Sequence, residues 1–274
     1  MRRGRVGQVG RVGRVGRVGR VGLILCVLGV LCGESVASGQ TCNQTPGPRG
    51  TIDLKIGTFT RPFTVRLPAA YDARTPGPLI FLFHPGGMNA QYMQGRVPVS
   101  LAWPDAMAVY PNAMPPSWQN RPGALDDRDL AYFDAMLDWL RANHCFDRTR
   151  VFVMGYSNGA GLSSLLACER AGVVAGVAIA SGTLACALTE PRPIILNHGL
   201  RDSTIPYQRG VDAAAAWSMR NGCSAPPKSG TVGCFAATSC AAAPVVLCTF
   251  DGGHEYHEPF TKTFVEFLKT PRTR

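Results

Sequence analysis

Gly155-Tyr156-Ser157-Asn158-Gly159 has the pattern G-x-S-x-G, directly after the β-like run Val151–Met154 and just before the helical segment Gly161–Glu169. In a turn from a strand into a helix, this pattern holds the serine in a strained backbone conformation with its hydroxyl exposed. Glycines flank it because side chains there would clash with the strand and the helix. The helix N terminus supports a developing negative charge. The context predicts that Ser157 is a nucleophile, whereas the alternative, an ordinary Gly-Ser turn, requires neither neighbouring element.

A serine hydroxyl is a weak nucleophile at neutral pH, so it needs a histidine base that is oriented by an acidic residue. In chains with this turn, the order is serine, then Asp or Glu, then His. Asp202 follows the strand-like run Ile194–Leu196, and His254 follows the run Val245–Phe250. Sites in open α/β sheets form at the carboxyl ends of strands. We therefore predict Ser157, Asp202 and His254 as a catalytic triad.

Two of these assignments have alternatives within the sequence. His257 competes with His254 as the base, but it lies where the last helix is predicted to begin, whereas two glycines precede His254. Asp202 could instead be a helix cap or a turn residue. We predict structural roles for His144 and His198.

Acyl transfer also needs N–H donors for the tetrahedral oxyanion. One predicted donor is the backbone of Asn158, the residue after the nucleophile. The other belongs to the loop His84-Pro85-Gly86-Gly87 after a buried apolar run. Pro85 has no N–H, so Gly86 is the predicted donor and Gly87 the next candidate. We expect His84 to order this loop.

From Thr51 onward, β-like runs alternate with helical patterns, which predicts one α/β domain with a mostly parallel central sheet covered by helices on both faces. The predicted strands are Asp53–Ile56, Phe63–Leu67, Pro78–Phe83, Ala106–Tyr110, Val151–Met154, Val174–Ala180, Ile194–Leu196 and Val245–Phe250. The predicted helices are Asp129–Asn143, Gly161–Glu169, Val211–Met219 and a last one through Phe264 and Leu268. The first two strands are expected to form an antiparallel hairpin.

The first 40 residues differ in composition from the rest. Arginines alternate with glycine and valine, then the apolar run Val21–Leu31 is followed by small residues, which is the layout of a signal peptide. The formal net charge of +10 includes seven arginines between Arg2 and Arg20, and removing residues 1–37 leaves +4. That charge gives no reason to expect a nucleic-acid partner. We therefore predict domains 1–40 and 41–274, and a secreted, extracellular protein, or a periplasmic one in a bacterium, without stable membrane association after cleavage.

Eight cysteines lie beyond this segment, and an even number in an exported chain predicts disulfides. The eight are Cys42, Cys145, Cys168, Cys186, Cys223, Cys234, Cys240 and Cys248. None of them has C-x-x-C spacing, and the five histidines do not cluster with carboxylates. We therefore expect no metal site, and we expect no cofactor because acyl transfer through a serine does not require one.

The stretches that carry a family resemblance are FLFHPGG, AVYPNAMPPSW, HCFD, GYSNGAGLSSLLAC, HGLRD, MRNGC and DGGH. Together they resemble secreted feruloyl esterases and the related polyhydroxybutyrate-depolymerase-like esterases of the α/β-hydrolase superfamily, from about Cys42 to the C terminus. The resemblance implies the triad named above and a loop around Trp118 that borders the acyl pocket and binds substrate. Many relatives have HGGGG or HGCGG where this chain has HPGGM. This difference leaves open which residue of the loop is the second oxyanion donor.

The resemblance also implies a function and a disulfide pattern. It implies a carboxylesterase that releases ferulic acid from feruloylated xylan; separately, we expect a monomer. Two other enzyme functions stay open, a polyhydroxybutyrate depolymerase and an acetyl-xylan esterase. A non-enzymatic alternative is an inactive hydrolase fold that serves as a binding module. The resemblance also suggests that Cys168 pairs with Cys186 and Cys223 with Cys240; Cys42 with Cys145 and Cys234 with Cys248 would complete the set.

Overall fold

The fold is a nine-stranded mixed sheet flanked by helices, seen in a computed structural model that describes Cys42 and residues 45–270. The predicted N-terminal domain 1–40, with its signal peptide, lies outside the described residues. The strands are β1 Gly50–Ile56, β2 Phe59–Arg66, β3 Gly77–Phe83, β4 Met107–Pro111, β5 Phe146–Tyr156, β6 Val174–Ala180, β7 Ile194–Gly199, β8 Gly233–Ala236 and β9 Val245–Phe250. They are arranged in the order β1-β2-β4-β3-β5-β6-β7-β9-β8.

Strand pairing is parallel in the centre and antiparallel at both edges. The six strands from β4 to β9 in spatial order are parallel, whereas the β1–β2 hairpin and β8 pair antiparallel with their neighbours. Parallel strands bring their carboxyl ends to one edge of the sheet. The loops after β3, β5, β7 and β9 therefore meet along this edge, and they carry the residues predicted for catalysis.

Helices cover both faces of the sheet, as predicted. They are α1 Ala90–Arg96, α2 Val99–Ala102, α3 Arg128–Asn143, α4 Asn158–Glu169, α5 Tyr207–Arg220 and α6 Phe260–Lys269. One apolar core includes buried residues of α3, α4 and α5, and the other includes buried residues of α1, α2 and α6. The central strand β3 contributes to both, because Phe81 faces the first core and its neighbours Ile80 and Leu82 face the second. This explains its unbroken apolar sequence.

Several element bounds differ from the sequence-based expectation. α4 begins at Asn158 rather than Gly161, since glycines at 159 and 161 hide the helical pattern although the turn itself starts the helix. β5 begins at Phe146, five residues earlier than expected, and its first half has the polar sequence FDRTR. The short α1 and α2 were not predicted because each buries only one or two side chains, too few to make a helical pattern.

Four disulfides are present: Cys42–Cys145, Cys168–Cys186, Cys223–Cys240 and Cys234–Cys248. They include the two pairs that the resemblance suggested, Cys168–Cys186 and Cys223–Cys240, and the two pairs that complete the set. Cys223–Cys240 and Cys234–Cys248 link parts of the segment before β9 to each other and to β9. This segment contains β8, which the sequence pattern did not predict and which pairs antiparallel with β9. Each disulfide stabilises a fold by about 2–4 kcal/mol, mainly by restricting the unfolded chain.

Three buried histidines, His84, His144 and His198, make stability depend on pH. Burial lowers the pKa of each below its ordinary value. In the unfolded chain they titrate near pH 6.5. Below that pH the unfolded chain takes up protons that the folded chain does not bind, so the free energy of unfolding decreases as pH falls.

We therefore expect a lower urea midpoint at pH 5.5 than at pH 7. The contribution of these histidines is present above about pH 6.5 and is lost as the pH falls towards their folded pKa values. The variant His144→Gln keeps a donor for the carbonyl oxygen of Pro48, which His144 Nε2 contacts at 3.1 Å, but it does not titrate. Its midpoint should change less with pH. An equal change in both proteins would contradict this account.

Candidate active site

The turn between β5 and α4 holds Ser157 in a strained conformation. Its backbone angles are φ 54° and ψ −117°, in a region that residues with a Cβ rarely adopt. A Cβ on Gly155 would lie 2.1 Å from the carbonyl oxygen of Gly159, and one on Gly159 would lie 2.2 Å from that of Phe83. Both glycines are therefore required for the close approach, as the sequence pattern predicted.

The structure brings Ser157, Asp202 and His254 into one hydrogen-bonded chain. Ser157 Oγ lies 2.8 Å from His254 Nε2, and His254 Nδ1 lies 2.8 Å from Asp202 Oδ2. The Asp202 side chain is fully buried, while that of His254 is 18% exposed. With Nδ1–H donating to the carboxylate, Nε2 is left as an acceptor for the serine proton. This is the arrangement that activates a serine hydroxyl.

Asp202 is fixed by donors at both carboxylate oxygens. Oδ1 accepts hydrogen bonds from the backbone N–H groups of Thr204 and Ile205, at 3.0 and 2.9 Å. Nε2 of the buried His198 lies 2.8 Å from the carbonyl oxygen of Ile205 and 3.3 Å from Asp202 Oδ2. His198 thus packs beside the carboxylate and ties β7 to the loop after it, which fits its predicted structural role.

The loop after β9 delivers His254. Tyr156, next to the serine, donates its hydroxyl hydrogen to the carbonyl oxygen of His254 at 2.9 Å. Burial raises the pKa of Tyr156 to about 12, so it remains a neutral donor at physiological pH. The backbone N–H of Arg201 donates to Gly252 in the same loop at 2.8 Å. The role of Tyr156 could not be predicted from the sequence, because it occupies a variable position of the G-x-S-x-G pattern and nothing there indicates this contact.

His257 is placed apart from the serine. Its ring stacks on Phe250 with the ring centres 4.6 Å apart. Its carbonyl oxygen accepts a hydrogen bond from the backbone N–H of Phe260, at the start of α6. Of the two candidate bases, it is His254 that contacts Ser157 Oγ.

The loop after β3 lies beside the serine turn. A Cβ on Gly86 would be 3.7 Å from the Cβ of Asn158, so the two candidate oxyanion donors are neighbours. A tight turn, closed by the bond from Met88 N–H to the carbonyl oxygen of Pro85, shapes the loop. His84 orders it, since Nδ1 lies 2.8 Å from the Pro85 oxygen and Nε2 accepts from the backbone of Ala113.

Trp118 is a buried residue, 1% exposed, that joins the two loops. The substrate-binding role that the resemblance implies for its loop stays a prediction. Its indole N–H donates to the carbonyl oxygen of His84 at 2.9 Å, and its backbone N–H donates to the side-chain oxygen of Asn158 at 2.8 Å. The indole ring packs against the rings of Phe83 and His84.

The loop that carries Trp118 is itself anchored to the core. The backbone N–H of the next residue, Gln119, donates to the buried carboxylate of Asp129 at 2.7 Å. Asp129 forms a buried ion pair with Arg61 at 2.7 Å, and the guanidinium lies 3.7 Å from the ring centre of Tyr132. These contacts connect β2 and α3 to the loop, so Trp118 has a fixed support.

We expect Trp118→Phe to lower kcat about 10- to 100-fold. Phenylalanine keeps most of the apolar contact but lacks the N–H that holds the His84 carbonyl, and small displacements of oxyanion donors reduce catalysis strongly. Ester hydrolysis by the folded variant measures the effect. The control is Trp139→Phe, on α3, where the ring packs against Phe63 and His144; it should leave kcat nearly unchanged. Equal kcat values for the two variants would refute this role.

Comparison with known proteins identifies relatives of this chain. Residues 70–196 match the family model for Esterase PHB depolymerase, a range that includes Ser157. Feruloyl esterase D from Neurospora crassa is 31% identical over 216 residues, which cover 72% of each chain. Feruloyl esterase C from Emericella nidulans is 30% identical over 234 residues, which cover 80% of this chain and 84% of the relative.

The fold itself matches solved esterase structures. An acetyl xylan esterase from Aspergillus awamori aligns over 76% of this chain and 94% of its own, with a TM-score of 0.59 and 16% identity. This likeness establishes the α/β-hydrolase fold, and the curated relatives establish the family. The chain is a carboxylic ester hydrolase that belongs to the family of feruloyl esterases and polyhydroxybutyrate-depolymerase-like esterases.

Proposed function

We propose that this protein is a secreted feruloyl esterase that releases ferulic acid from feruloylated xylan through a Ser157-Asp202-His254 triad. The observation that carries the mechanism is the continuous chain of 2.8 Å contacts from Ser157 Oγ through His254 to Asp202. The substrate is inferred from the feruloyl esterases that match most of the chain.

The reaction has two half-reactions. Ser157 Oγ attacks the ester carbonyl carbon while His254 Nε2 accepts its proton, and Asp202 stabilises the resulting imidazolium. The tetrahedral intermediate places its negative oxygen against the backbone N–H groups of Asn158 and Gly86, each worth about 3 kcal/mol. The C–O bond then breaks, and the departing sugar alcohol takes the proton from His254. Water, activated by the same histidine, hydrolyses the feruloyl-serine ester.

Export is part of this proposal. Four disulfides are typical of proteins from oxidising compartments. The signal-peptide layout of residues 1–40 favours export in the same way. Within residues 45–270, no helix has the length and apolar character needed to cross a membrane. We also propose a monomer, which size-exclusion chromatography with light scattering would test.

A second candidate comes from the family model, whose description is PHB depolymerase. Such an enzyme would hydrolyse short hydroxyalkanoate esters with the same triad. The two candidates differ in the acyl group, so they make opposite predictions for aromatic and short aliphatic esters.

The distinguishing experiment compares hydrolysis of methyl ferulate, p-nitrophenyl acetate and p-nitrophenyl butyrate by the same preparation. We expect the highest kcat/KM on methyl ferulate. Activity confined to p-nitrophenyl butyrate would favour the depolymerase, and activity confined to the acetate would favour an acetyl esterase. Complete inactivity of the folded protein on all three would contradict an esterase and support an inactive binding module.

A further inference from the structure

A polar groove lies between the β1–β2 hairpin and helix α1, with a volume of about 410 Å³. This volume is in the range of clefts that hold small molecules or parts of larger ones. Its walls carry amide, hydroxyl and guanidinium groups from Thr51, Arg66, Asn89, Gln91, Gln94 and Asn112. Among the lining residues there is no Asp, Glu or Lys, so Arg66 contributes the one formal charge. The wall chemistry therefore suits a neutral, hydroxyl-rich ligand.

The groove begins next to the candidate oxyanion loop. Asn89 lies three residues after Gly86, so the two Cα atoms are at most about 11 Å apart. The turn from Pro85 to Met88 makes the real separation shorter. Gly86 in turn lies against Asn158, the residue after the candidate nucleophile. The Asn89 end of the groove is therefore close to the candidate oxyanion loop.

The walls are held in place by contacts that leave other groups available. Asn112 Oδ1 accepts from the backbone N–H of Ala90 at 2.7 Å, which ties the end of β4 to α1. At the other end of the groove, Arg66 Nε donates to Gln94 Oε1 at 3.0 Å, which links β2 to α1. Arg66 and Gln91 are both exposed. The side-chain amide nitrogen of Asn112 and the two terminal nitrogens of Arg66 are donors beyond these contacts.

We infer that this groove binds the polysaccharide backbone of the substrate, so that arabinoxylan is recognised by hydrogen bonds from β2 and α1 while its ester reaches Ser157. Sugar hydroxyls donate and accept, and amide and guanidinium groups match them. This inference rests on the proposed function, because it assigns the groove to the polymer part of the same substrate. The groove contributes little to a small ester such as methyl ferulate, which does not reach it.

The test uses the double variant Arg66→Ala/Gln91→Ala with Arg209→Ala as a matched control. Arg209 is an exposed arginine on α5, and α5 packs on β7 and β9 at the other side of the sheet. For the double variant we expect kcat/KM on feruloylated arabinoxylan oligosaccharides to fall about tenfold, since several hydrogen bonds are lost. Its kcat/KM on methyl ferulate should be unchanged, and the control should match the wild type on both.

A second measurement separates the groove from the reaction. Affinity electrophoresis in gels containing arabinoxylan stripped of its esters reports polymer binding without any ester to hydrolyse. We expect retardation of the wild type and Arg209→Ala, and loss of retardation in the double variant. Equal retardation of all three, or equal kcat/KM on the oligosaccharides, would overturn the inference. Wild-type inactivity on methyl ferulate would refute the proposed function instead, and the gels would still show whether the groove binds the polysaccharide.

Discussion

Ser157→Ala is expected to lower kcat for ester hydrolysis by about 10⁵-fold or more. Without Oγ no acyl-enzyme can form, and the remaining rate comes from water attack in a site that still contains the oxyanion donors. The alanine has the same Cβ at φ 54°, so the strained turn and the fold should persist. Steady-state hydrolysis of methyl ferulate and p-nitrophenyl acetate measures the loss.

The matched control for this variant is Ser181→Ala. Ser181 also has a positive φ, 46°, and is fully buried, and its hydroxyl has no hydrogen-bond partner among the described residues. Removing an unpaired hydroxyl is close to neutral for stability. We expect near-normal activity from this variant. Comparable activity of the two variants would contradict the assignment of Ser157 as nucleophile.

Asp202→Asn is expected to lower kcat about 10⁴-fold with little effect on folding. Asparagine has the same shape but no charge to stabilise an imidazolium, and its amide group opposite Nδ1–H would favour the wrong histidine tautomer. The present geometry relies on Oδ2 accepting from His254 Nδ1 at 2.8 Å. Measured kcat across a pH series, together with circular dichroism, would establish the effect.

Asp251→Asn is the control for this second prediction. Asp251 is exposed and pairs with Arg201, close in space to the histidine loop but outside the hydrogen-bonded chain. Exposed ion pairs contribute about 0–1 kcal/mol, so its loss should change activity only slightly. A larger loss of activity in Asp251→Asn than in Asp202→Asn would show that Asp202 is not the acidic residue of the triad.

The central strands and the serine turn were predictable because local rules and tertiary packing agree there. β3 is apolar throughout because the sheet is covered on both faces, and β9 was predicted with its observed bounds, Val245–Phe250. The order of Ser157, Asp202 and His254 along the chain could also be read, since each follows a strand end. Their mutual distances required the structure.

The remaining features depend on contacts that sequence patterns do not encode. α1 buries only Ala90 and Met93, so its apolar pattern is too sparse to predict a helix. β8 has four residues and exists by pairing with β9, which a disulfide between Cys234 and Cys248 reinforces. The burial of Trp118 depends on hydrogen bonds to two loops that are distant in sequence. In each case a long-range contact determines the structure.

The most direct test of the central claim is labelling with a fluorophosphonate, which reacts covalently with activated serines. Digestion and mass spectrometry would locate the label, and methyl ferulate hydrolysis would be followed in parallel. We predict one label per protein, on Ser157, with hydrolysis falling in proportion to labelling and no label on Ser157→Ala. A label on another residue, or full hydrolysis after complete labelling, would contradict the account.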